Sequence, residues 1–240
     1  MSRPVGIGAA IAQRLHDMGA TVFATGHPVH DAEMPWGEQP LGDLPFPVHQ
    51  HDLEDAAVPA ALVDEVVERH GRIDLVAAVH ARSSNSDLDA MSTHELDRCW
   101  AANVRSILQL AQRFGAVHQP PAAHERSIGR MVWFTSGQHL QPMHDEIAYA
   151  VTKGALHQMT ASVDRALSKH RIIANCINPG PVDTGWADGA THETVAGMFP
   201  DGAWGTPNDV ANLVGFLFSD EGAWIRGQVL NSEGGFNRFG

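Results

Sequence analysis

The stretch Tyr149-Ala150-Val151-Thr152-Lys153 lies at the start of a helix-like run, Ala148–Lys169, that follows the strand-like run Arg130–Thr135. Tyr149 is the only tyrosine in the chain, and Lys153 is one of two lysines. Residues four apart on a helix lie on one face, and a nearby cation lowers the pKa of a phenol from its usual value of about 10. The spacing therefore predicts a general acid/base at Tyr149. The alternative is a surface helix that carries an amphipathic tyrosine and a solvated lysine.

Strand-like and helix-like runs alternate along the chain, which is typical of a parallel sheet with helices on both faces. Strands are predicted at Thr21–Thr25, Pro47–Gln50, Ile73–Val79, Arg130–Thr135, Arg171–Ile177 and Gln228–Leu230. Helices are predicted at Ile7–Met18, Ala57–His70, Thr93–His118 and Ala148–Lys169, with another that begins at Thr206, and loops are predicted at His27–Pro45 and Val117–Glu125. The fold class is therefore α/β, a doubly wound, Rossmann-like sheet. The length of 240 residues suits one domain over 1–240.

Charge and apolar runs narrow the class of partner. The formal net charge is −12 with 15 histidines counted as neutral, which disfavours nucleic acid and anionic membranes. The longest apolar runs, such as Ala211–Phe218, are far shorter than the ~20 residues that span a bilayer. Cys99 and Cys176 suggest no disulfide framework, and the histidines form no metal-ligand motif. We expect a cytoplasmic protein with a small-molecule substrate and no metal, membrane or nucleic-acid partner.

The segment Gly6-Ile7-Gly8-Ala9-Ala10 has the pattern of a glycine-rich phosphate turn that runs into a helix. Missing side chains let a pyrophosphate approach the backbone, and the helix N-terminus supplies positive potential. A dinucleotide-binding turn follows a strand, however, and no strand-like run precedes this one. The alternative is an ordinary helix N-terminus with a flexible lead-in.

Several further motifs stand in a fixed order around the Tyr149–Lys153 pair and the glycine-rich segment at Gly6–Ala10. Ser136 lies thirteen residues before Tyr149, and Asn103 lies within the long helix-like run that precedes the strand of Ser136. Each of the remaining motifs follows a strand or lies near the C-terminus: Asp52-Leu53, Asn178–Thr184, Trp204–Ala211 and Gly227–Gly235. Together the motifs resemble the short-chain dehydrogenase/reductase family over essentially the whole chain, including its 3-oxoacyl-[acyl-carrier-protein] reductase-like members.

The resemblance implies NAD(P)-dependent hydride transfer between a carbonyl and a secondary alcohol, with four catalytic residues. Tyr149 would act as general acid/base, and Ser136 would hydrogen-bond the substrate oxygen. Lys153 would bind the nicotinamide ribose and lower the pKa of the phenol, while Asn103 would anchor a water that passes protons to the lysine. Taken singly, a serine at a strand end is usually a turn residue and an asparagine in a helix usually binds backbone or water.

The same resemblance implies a set of cofactor contacts. The set is Arg3, Gly6, Ile7, Gly8, Asp52, Leu53, Asn103, Tyr149, Lys153, Pro179, Gly180, Val182 and Thr184. We favour NADP(H) over NAD(H), because Thr25-Gly26-His27 offers no acid for a ribose 2′-hydroxyl and Arg3 stands where related NADP enzymes keep a basic residue. Asp31, further along the loop, remains an alternative acid for NAD.

The chain departs from the family pattern at two places. The first strand and the first glycine of the Thr-Gly-x-x-x-Gly-x-Gly turn are absent, so we expect a truncated or misassigned start and an opened sheet centre. The Asn-Asn-Ala-Gly motif is replaced by Ala78-Val79-His80-Ala81, where we interpret His80 as a packed or loop histidine rather than a catalyst.

Three functions therefore remain open for the sequence. The first is a carbonyl reductase or alcohol dehydrogenase, which the joint presence of Asn103, Ser136, Tyr149 and Lys153 favours. The second is a non-catalytic or cofactor-deficient relative, which the incomplete phosphate turn favours. The third is an interaction subunit that uses the surfaces through which the family forms dimers or tetramers. For the enzyme we expect a homo-oligomer.

Overall fold

Helices and strands alternate along the chain in a computed structural model. The structure describes residues 6–32, 37, 39, 43–119, 129–187 and 189–239. The helices α1 to α8 are Ile7–Asp17, Pro28–Ala32, Val58–His70, Thr93–Trp100, Ser106–Val117, Ile147–Leu167, Gly189–Ala196 and Pro207–Phe218. The strands β1 to β6 are Ala24–Gly26, Val48–Gln50, Leu75–Ala78, Gly129–Phe134, Ile172–Asn178 and Val229–Asn231. Each strand overlaps one that the sequence predicts, and the α/β fold class is confirmed.

Among the described residues the strands form two sheets. Strand β1 pairs in parallel with β2, and the second sheet has the order β3-β4-β5-β6. Strands β3 and β4 are parallel with Leu75 opposite Arg130, and β4 and β5 are parallel with Gly129 opposite Ile172. Residues 1–5, for which the sequence predicts no strand, lie outside the described part of the chain.

The chain divides into two compact units. The first consists of Met1–Gln50, Asn178–Gly215 and Asn231–Gly240, and the second consists of His51–Ile177 and Phe216–Leu230. A small apolar cluster of Ala12, Ala24 and Phe46 lies in the first unit. A single domain over 1–240 stays a prediction.

No helix in the described ranges is long and apolar enough to cross a membrane.

The core of the second unit is built on β4 and β5. Every residue of both strands is buried, which is typical of central strands in a parallel sheet that is covered on both faces. Trp133 of β4 is 0% exposed, and its indole N–H donates to the Leu156 carbonyl oxygen of α6 at 3.3 Å. This packing fixes α6, which carries Tyr149 and Lys153, against the strand that precedes Ser136.

The helices of the structure differ from the sequence prediction at three places. The predicted helix Thr93–His118 is interrupted by a π-helical turn at Ala101–Arg105, which separates α4 from α5. The predicted loop His27–Pro45 begins with the short helix α2, whose first residue is a proline that favours a helix start. Helix α7 had no counterpart in the sequence analysis.

Asp164 fastens the C-terminal half of α6 to β5 and to the segment before β6. Its carboxylate accepts hydrogen bonds from Arg226 Nε (3.0 Å) and Nη2 (3.2 Å) and from the Ala174 N–H (3.1 Å). Asp164 is 6% exposed, so these partners replace the water that the carboxylate loses.

Asp164→Ala should lower the free energy of unfolding by about 2 to 4 kcal/mol, because a buried N–H loses its acceptor and an arginine loses its ion-pair partner. Urea denaturation followed by circular dichroism measures the change. Asp89→Ala, at an exposed turn residue, is the matched control and should stay within about 0.5 kcal/mol of the wild type. A loss below about 1 kcal/mol for Asp164→Ala would show that the clamp is not structural.

Candidate active site

Tyr149 and Lys153 lie one turn apart on α6 and face the same side, as the spacing predicts. The Lys153 Nζ is 5.4 Å from the centroid of the Tyr149 ring. Lys153 is 2% exposed, whereas Tyr149 is partly exposed. The ammonium donates a hydrogen bond to the Phe134 carbonyl oxygen at the end of β4 (2.8 Å). The strand end therefore holds the lysine beside the phenol.

Ser136 follows β4 directly and has extended backbone, with φ −141° and ψ −171°. Its side chain lies close enough to Tyr149 to act on the pKa of the phenol. Its backbone N–H donates to Gln138 Oε1 at 3.1 Å. The sequence analysis paired Ser136 with Tyr149 through the family spacing alone, and the structure brings the two side chains together.

Asn103 lies in the π-helical turn and is 0% exposed. Its Oδ1 accepts from the Arg82 N–H (2.7 Å), and its Nδ2 donates to the Arg82 carbonyl oxygen (3.0 Å) and to Thr152 Oγ1 (2.9 Å). The Thr152 hydroxyl donates in turn to the Tyr149 carbonyl oxygen (2.8 Å). Asn103 is thus linked to α6 through Thr152, a residue that the sequence analysis did not identify.

The predicted phosphate turn lies in the first unit at the beginning of α1. Gly6 is the N-cap residue of this helix, and its carbonyl oxygen accepts from the N–H groups of Ala9 and Ala10. No acidic residue stands in the first turn of α1, and no side chain among the described residues is recorded as a cap of its N-terminus. Arg3 lies outside the described residues.

The loop Asn178–Thr184, which carries four of the predicted cofactor contacts, also lies in the first unit. Gly180 has φ +65°, and a Cβ there would lie 2.8 Å from the Glu233 Cα, so only glycine fits. The Gly180 N–H donates to Asn178 Oδ1 (3.2 Å), and Asn178 Nδ2 donates to Glu233 Oε1 (2.8 Å). Val182 forms a parallel bridge with Gly205. The loop that carries Pro179, Gly180, Val182 and Thr184 therefore has a fixed backbone at Gly180 and Val182.

A family model described as enoyl-(acyl carrier protein) reductase matches residues 2–237 of this chain. The chain belongs to the short-chain dehydrogenase/reductase family. It is 32% identical over 237 residues to the uncharacterized oxidoreductase YjdA of Bacillus subtilis (strain 168), which covers 97% of this chain and 92% of that protein. The family consists of oxidoreductases, and this chain is accordingly an enzyme of that type.

Further relatives carry more specific names. The 3-oxoacyl-[acyl-carrier-protein] reductase MabA of Mycobacterium tuberculosis (strain ATCC 25618 / H37Rv) is 28% identical over 237 residues, which is 96% of this chain and 88% of MabA. A short chain dehydrogenase from Burkholderia cenocepacia J2315, solved in complex with NADP, has a TM-score of 0.80 and 27% identity over 97% of this chain and 94% of that one. The angucycline C-6 ketoreductase LanV, solved with bound NADP, has a TM-score of 0.79 and 25% identity over 97% and 91%.

The pKa of Tyr149 in this short-chain dehydrogenase/reductase differs from our expectation. Burial raises the pKa of the phenol to about 12, while the Ser136 hydrogen bond acts to lower it and Glu146 acts to raise it. Burial also lowers the pKa of Lys153 to about 8. We expected Lys153 to lower the pKa of the phenol, but burial of Tyr149 is the largest influence and the net shift is upward. The phenol is therefore protonated at neutral pH.

His80 packs against the π-helical turn, which agrees with our interpretation of it as a packed histidine. The Ser106 N–H donates to the Ala101 carbonyl oxygen, and the next carbonyl oxygen, that of Ala102, is contacted by side chains. His80 Nε2 lies 2.8 Å from that oxygen and 2.8 Å from Ser106 Oγ, and the Ser106 hydroxyl donates to the same carbonyl. Burial lowers the pKa of His80 to about 4, so the ring is a neutral donor.

A charged cluster that the sequence analysis missed lies beside Asn103. Arg82 is 7% exposed and contacts Glu95 through Nε (2.9 Å) and Nη2 (3.1 Å) and Glu54 through Nη1 (3.3 Å). Arg98 Nε also donates to Glu54 (2.8 Å). The Glu54 N–H donates to Asp52 Oδ1 (2.9 Å), within the segment predicted to contact adenine. The cluster connects that segment to the backbone that Asn103 binds.

Neutral His80 should make the protein less stable in mild acid. Its pKa falls from the usual 6.5 to about 4 on folding, so the unfolded chain binds an extra proton between these values, and stability is lost as the pH falls through that window. His80→Gln should flatten this dependence by up to about 1.4 kcal/mol per pH unit, measured by urea denaturation from pH 7.5 to 4.5. His144→Gln, at a histidine whose side chain is 82% exposed, should leave the slope unchanged. Equal slopes in all three proteins would contradict the assignment.

Proposed function

We propose that this chain interconverts a carbonyl and a secondary alcohol with an NAD(P) cofactor and uses Tyr149 as general acid/base. The observation that carries the proposal is the group formed in the second unit by Tyr149, Ser136 and Lys153, with Asn103 joined to it through Thr152. A proton donor, a hydrogen-bond partner and a cation on adjacent elements suit proton transfer to a carbonyl oxygen.

Proton transfer is the step that these residues perform. In the reductive direction, the Tyr149 hydroxyl gives its proton to the substrate oxygen as hydride reaches the carbonyl carbon. The raised pKa keeps that proton in place at neutral pH. The Ser136 hydroxyl hydrogen-bonds the oxygen that gains charge. Lys153, with its pKa lowered to about 8, remains mostly charged at pH 7 and favours the phenolate that transfer leaves behind.

The residues at the start of α1 fit a dinucleotide phosphate. A helix N-terminus without an acidic residue in its first turn and without a side-chain cap presents its N–H groups to an anion. Gly6, Ile7 and Gly8 would hold the pyrophosphate, with Arg3 beside them, and Lys153 would bind ribose. Asp52 and Leu53 would contact adenine, and Pro179, Gly180, Val182 and Thr184 would contact nicotinamide. When bound, the nicotinamide supplies or accepts the hydride.

We favour NADP(H) as the cofactor. Strand β1 ends at Gly26 and is followed by His27, so no carboxylate stands where NAD enzymes bind the ribose 2′-hydroxyl. The similar structures from Burkholderia cenocepacia and of LanV both contain NADP. Asp31, the alternative acid for NAD, is 4% exposed within α2 and offers little surface to a ribose.

The substrate that we propose is a small carbonyl compound, with 3-oxoacyl thioesters first because MabA is named for that reaction.

We also propose a cytoplasmic homo-oligomer. Cys99 and Cys176 are free and buried, which suits a reducing compartment. Trp100, Leu108 and Val151 are 46%, 41% and 51% exposed on α4, α5 and α6, and such apolar side chains are typical of subunit contacts.

Tyr149→Phe should abolish most of the activity because it removes the proton donor with little change in shape. We expect kcat/KM for NADPH-dependent reduction to fall by about 100-fold or more, while the Kd for NADPH changes less than about threefold. Assays with acetoacetyl-CoA, ethyl acetoacetate and acetophenone provide the panel. Trp224→Phe, at a residue that is 94% exposed, is the aromatic control and should keep wild-type turnover. If Tyr149→Phe keeps most of the turnover, the assigned role is wrong.

Parallel titrations with NADPH and NADH, followed by nicotinamide fluorescence, test the cofactor proposal. We expect saturable binding with NADPH at least about tenfold tighter, which corresponds to about 1.4 kcal/mol. Tighter NADH binding would overturn the preference and direct attention to Asp31. Binding of neither would favour the cofactor-deficient alternative.

A further inference from the structure

Gln138 connects the backbone of Ser136 to the backbone of Lys153. It lies in the 3-10 turn Gly137–His139 that follows Ser136. Gln138 Oε1 accepts from the Ser136 N–H at 3.1 Å, and Gln138 Nε2 donates to Thr135 Oγ1 at 3.0 Å. The Thr135 hydroxyl donates to the Lys153 carbonyl oxygen at 2.8 Å. The sequence analysis assigned no role to either Gln138 or Thr135.

The direction of this chain of hydrogen bonds is fixed by its first donor. A backbone N–H can only donate, so the Gln138 atom that faces Ser136 is the amide oxygen. The amide nitrogen then faces Thr135 and donates to its hydroxyl oxygen. The single Thr135 proton therefore goes to Lys153 at 2.8 Å rather than to Gln138 Oε1 at 3.3 Å.

The surroundings make these bonds restrictive. Thr135 is 2% exposed, and its own N–H donates to the Ile177 carbonyl oxygen of β5 at 2.9 Å. Hydrogen bonds shielded from water are stronger, and breaking one leaves an unsatisfied polar group. Lys153 Nζ also donates to the Phe134 carbonyl oxygen. Both the backbone and the side chain of the lysine are therefore hydrogen-bonded to residues at the end of β4.

The turn does not need the Gln138 side chain to form. The N–H groups of Leu140 and Gln141 both donate to the Gly137 carbonyl oxygen, at 2.9 Å and 3.1 Å. These backbone bonds close the turn by themselves. The side-chain bonds of Gln138 instead fix the peptide between Thr135 and Ser136. They therefore fix the position of the Ser136 Cβ, which carries the hydroxyl that acts on Tyr149.

We propose that Gln138 is a positioning residue that aligns the Ser136 hydroxyl with Tyr149 and Lys153. The inference rests on the proposed function, since it gives a role to a residue that supports the same proton-transfer group. Gln138 acts through Ser136, so its loss changes the chemical step more than the binding of substrate or cofactor.

Gln138→Ala should lower kcat about tenfold with NADPH and the best substrate of the panel, while KM and the Kd for NADPH change less than about twofold. Gln158→Ala, at an exposed glutamine of α6, is the matched control and should behave as the wild type. If Gln138→Ala folds poorly, Gln138→Met fills the same volume without the hydrogen bonds and should show the same loss. If neither variant folds, the side chain is required for folding and the positioning role is wrong.

A double-mutant cycle with Ser136→Ala separates positioning from general damage. If Gln138 acts through the Ser136 hydroxyl, Gln138→Ala should change kcat less than about twofold in the Ser136→Ala background. Additive losses would overturn the inference.

Tyr149→Phe in the same series distinguishes the two proposals. If it keeps turnover, the proposed function fails, whereas if it is inactive and Gln138→Ala matches the wild type, only the role of Gln138 fails.

Discussion

The buried ammonium of Lys153 is the constraint on which the candidate site depends. A lysine that is 2% exposed loses its hydration and needs protein acceptors, and the Phe134 carbonyl oxygen at the end of β4 supplies one at 2.8 Å. That bond requires α6 to lie against the strand end, where Trp133 also bonds Leu156. Tyr149 is then one helical turn from the cation, and Ser136 follows the strand directly. The same burial lowers the pKa of Lys153 to about 8 and raises that of Tyr149 to about 12.

A second support holds α6 through the π-helical turn. The turn changes the hydrogen-bond register, so that the Ala102 carbonyl oxygen is bonded by His80 and Ser106. Asn103 in that turn bonds the backbone of Arg82 and the hydroxyl of Thr152. Interruptions of this kind are frequent at functional sites. Helix α6 is thus held in place by strand β4 and by the π-helical turn.

The sequence predicted features that depend on spacing and period. The four-residue interval from Tyr149 to Lys153 predicted a shared helix face, and continuous apolar runs predicted the buried strands β4 and β5. The π-helical turn was missed because the residues of Ala101–Arg105 are ones that an α-helix also accepts, so no residue type marks the turn. Gln138 was missed because a glutamine in a loop has no pattern of its own, and its partners are set by tertiary contacts. The pKa of Tyr149 was predicted in the wrong direction because charge was read from the sequence, whereas burial is a property of the fold.

The state of the Tyr149 proton is the most direct test of this account. Because Tyr149 is the only tyrosine, uniform labelling with [13Cζ]tyrosine gives a single resonance whose titration belongs to that residue. The account predicts that the resonance stays at its phenol position up to pH 10 and titrates well above the usual value of 10.0. A midpoint at or below 10.0 would contradict the claim that burial governs the site and would restore Lys153 as the dominant influence on the phenol.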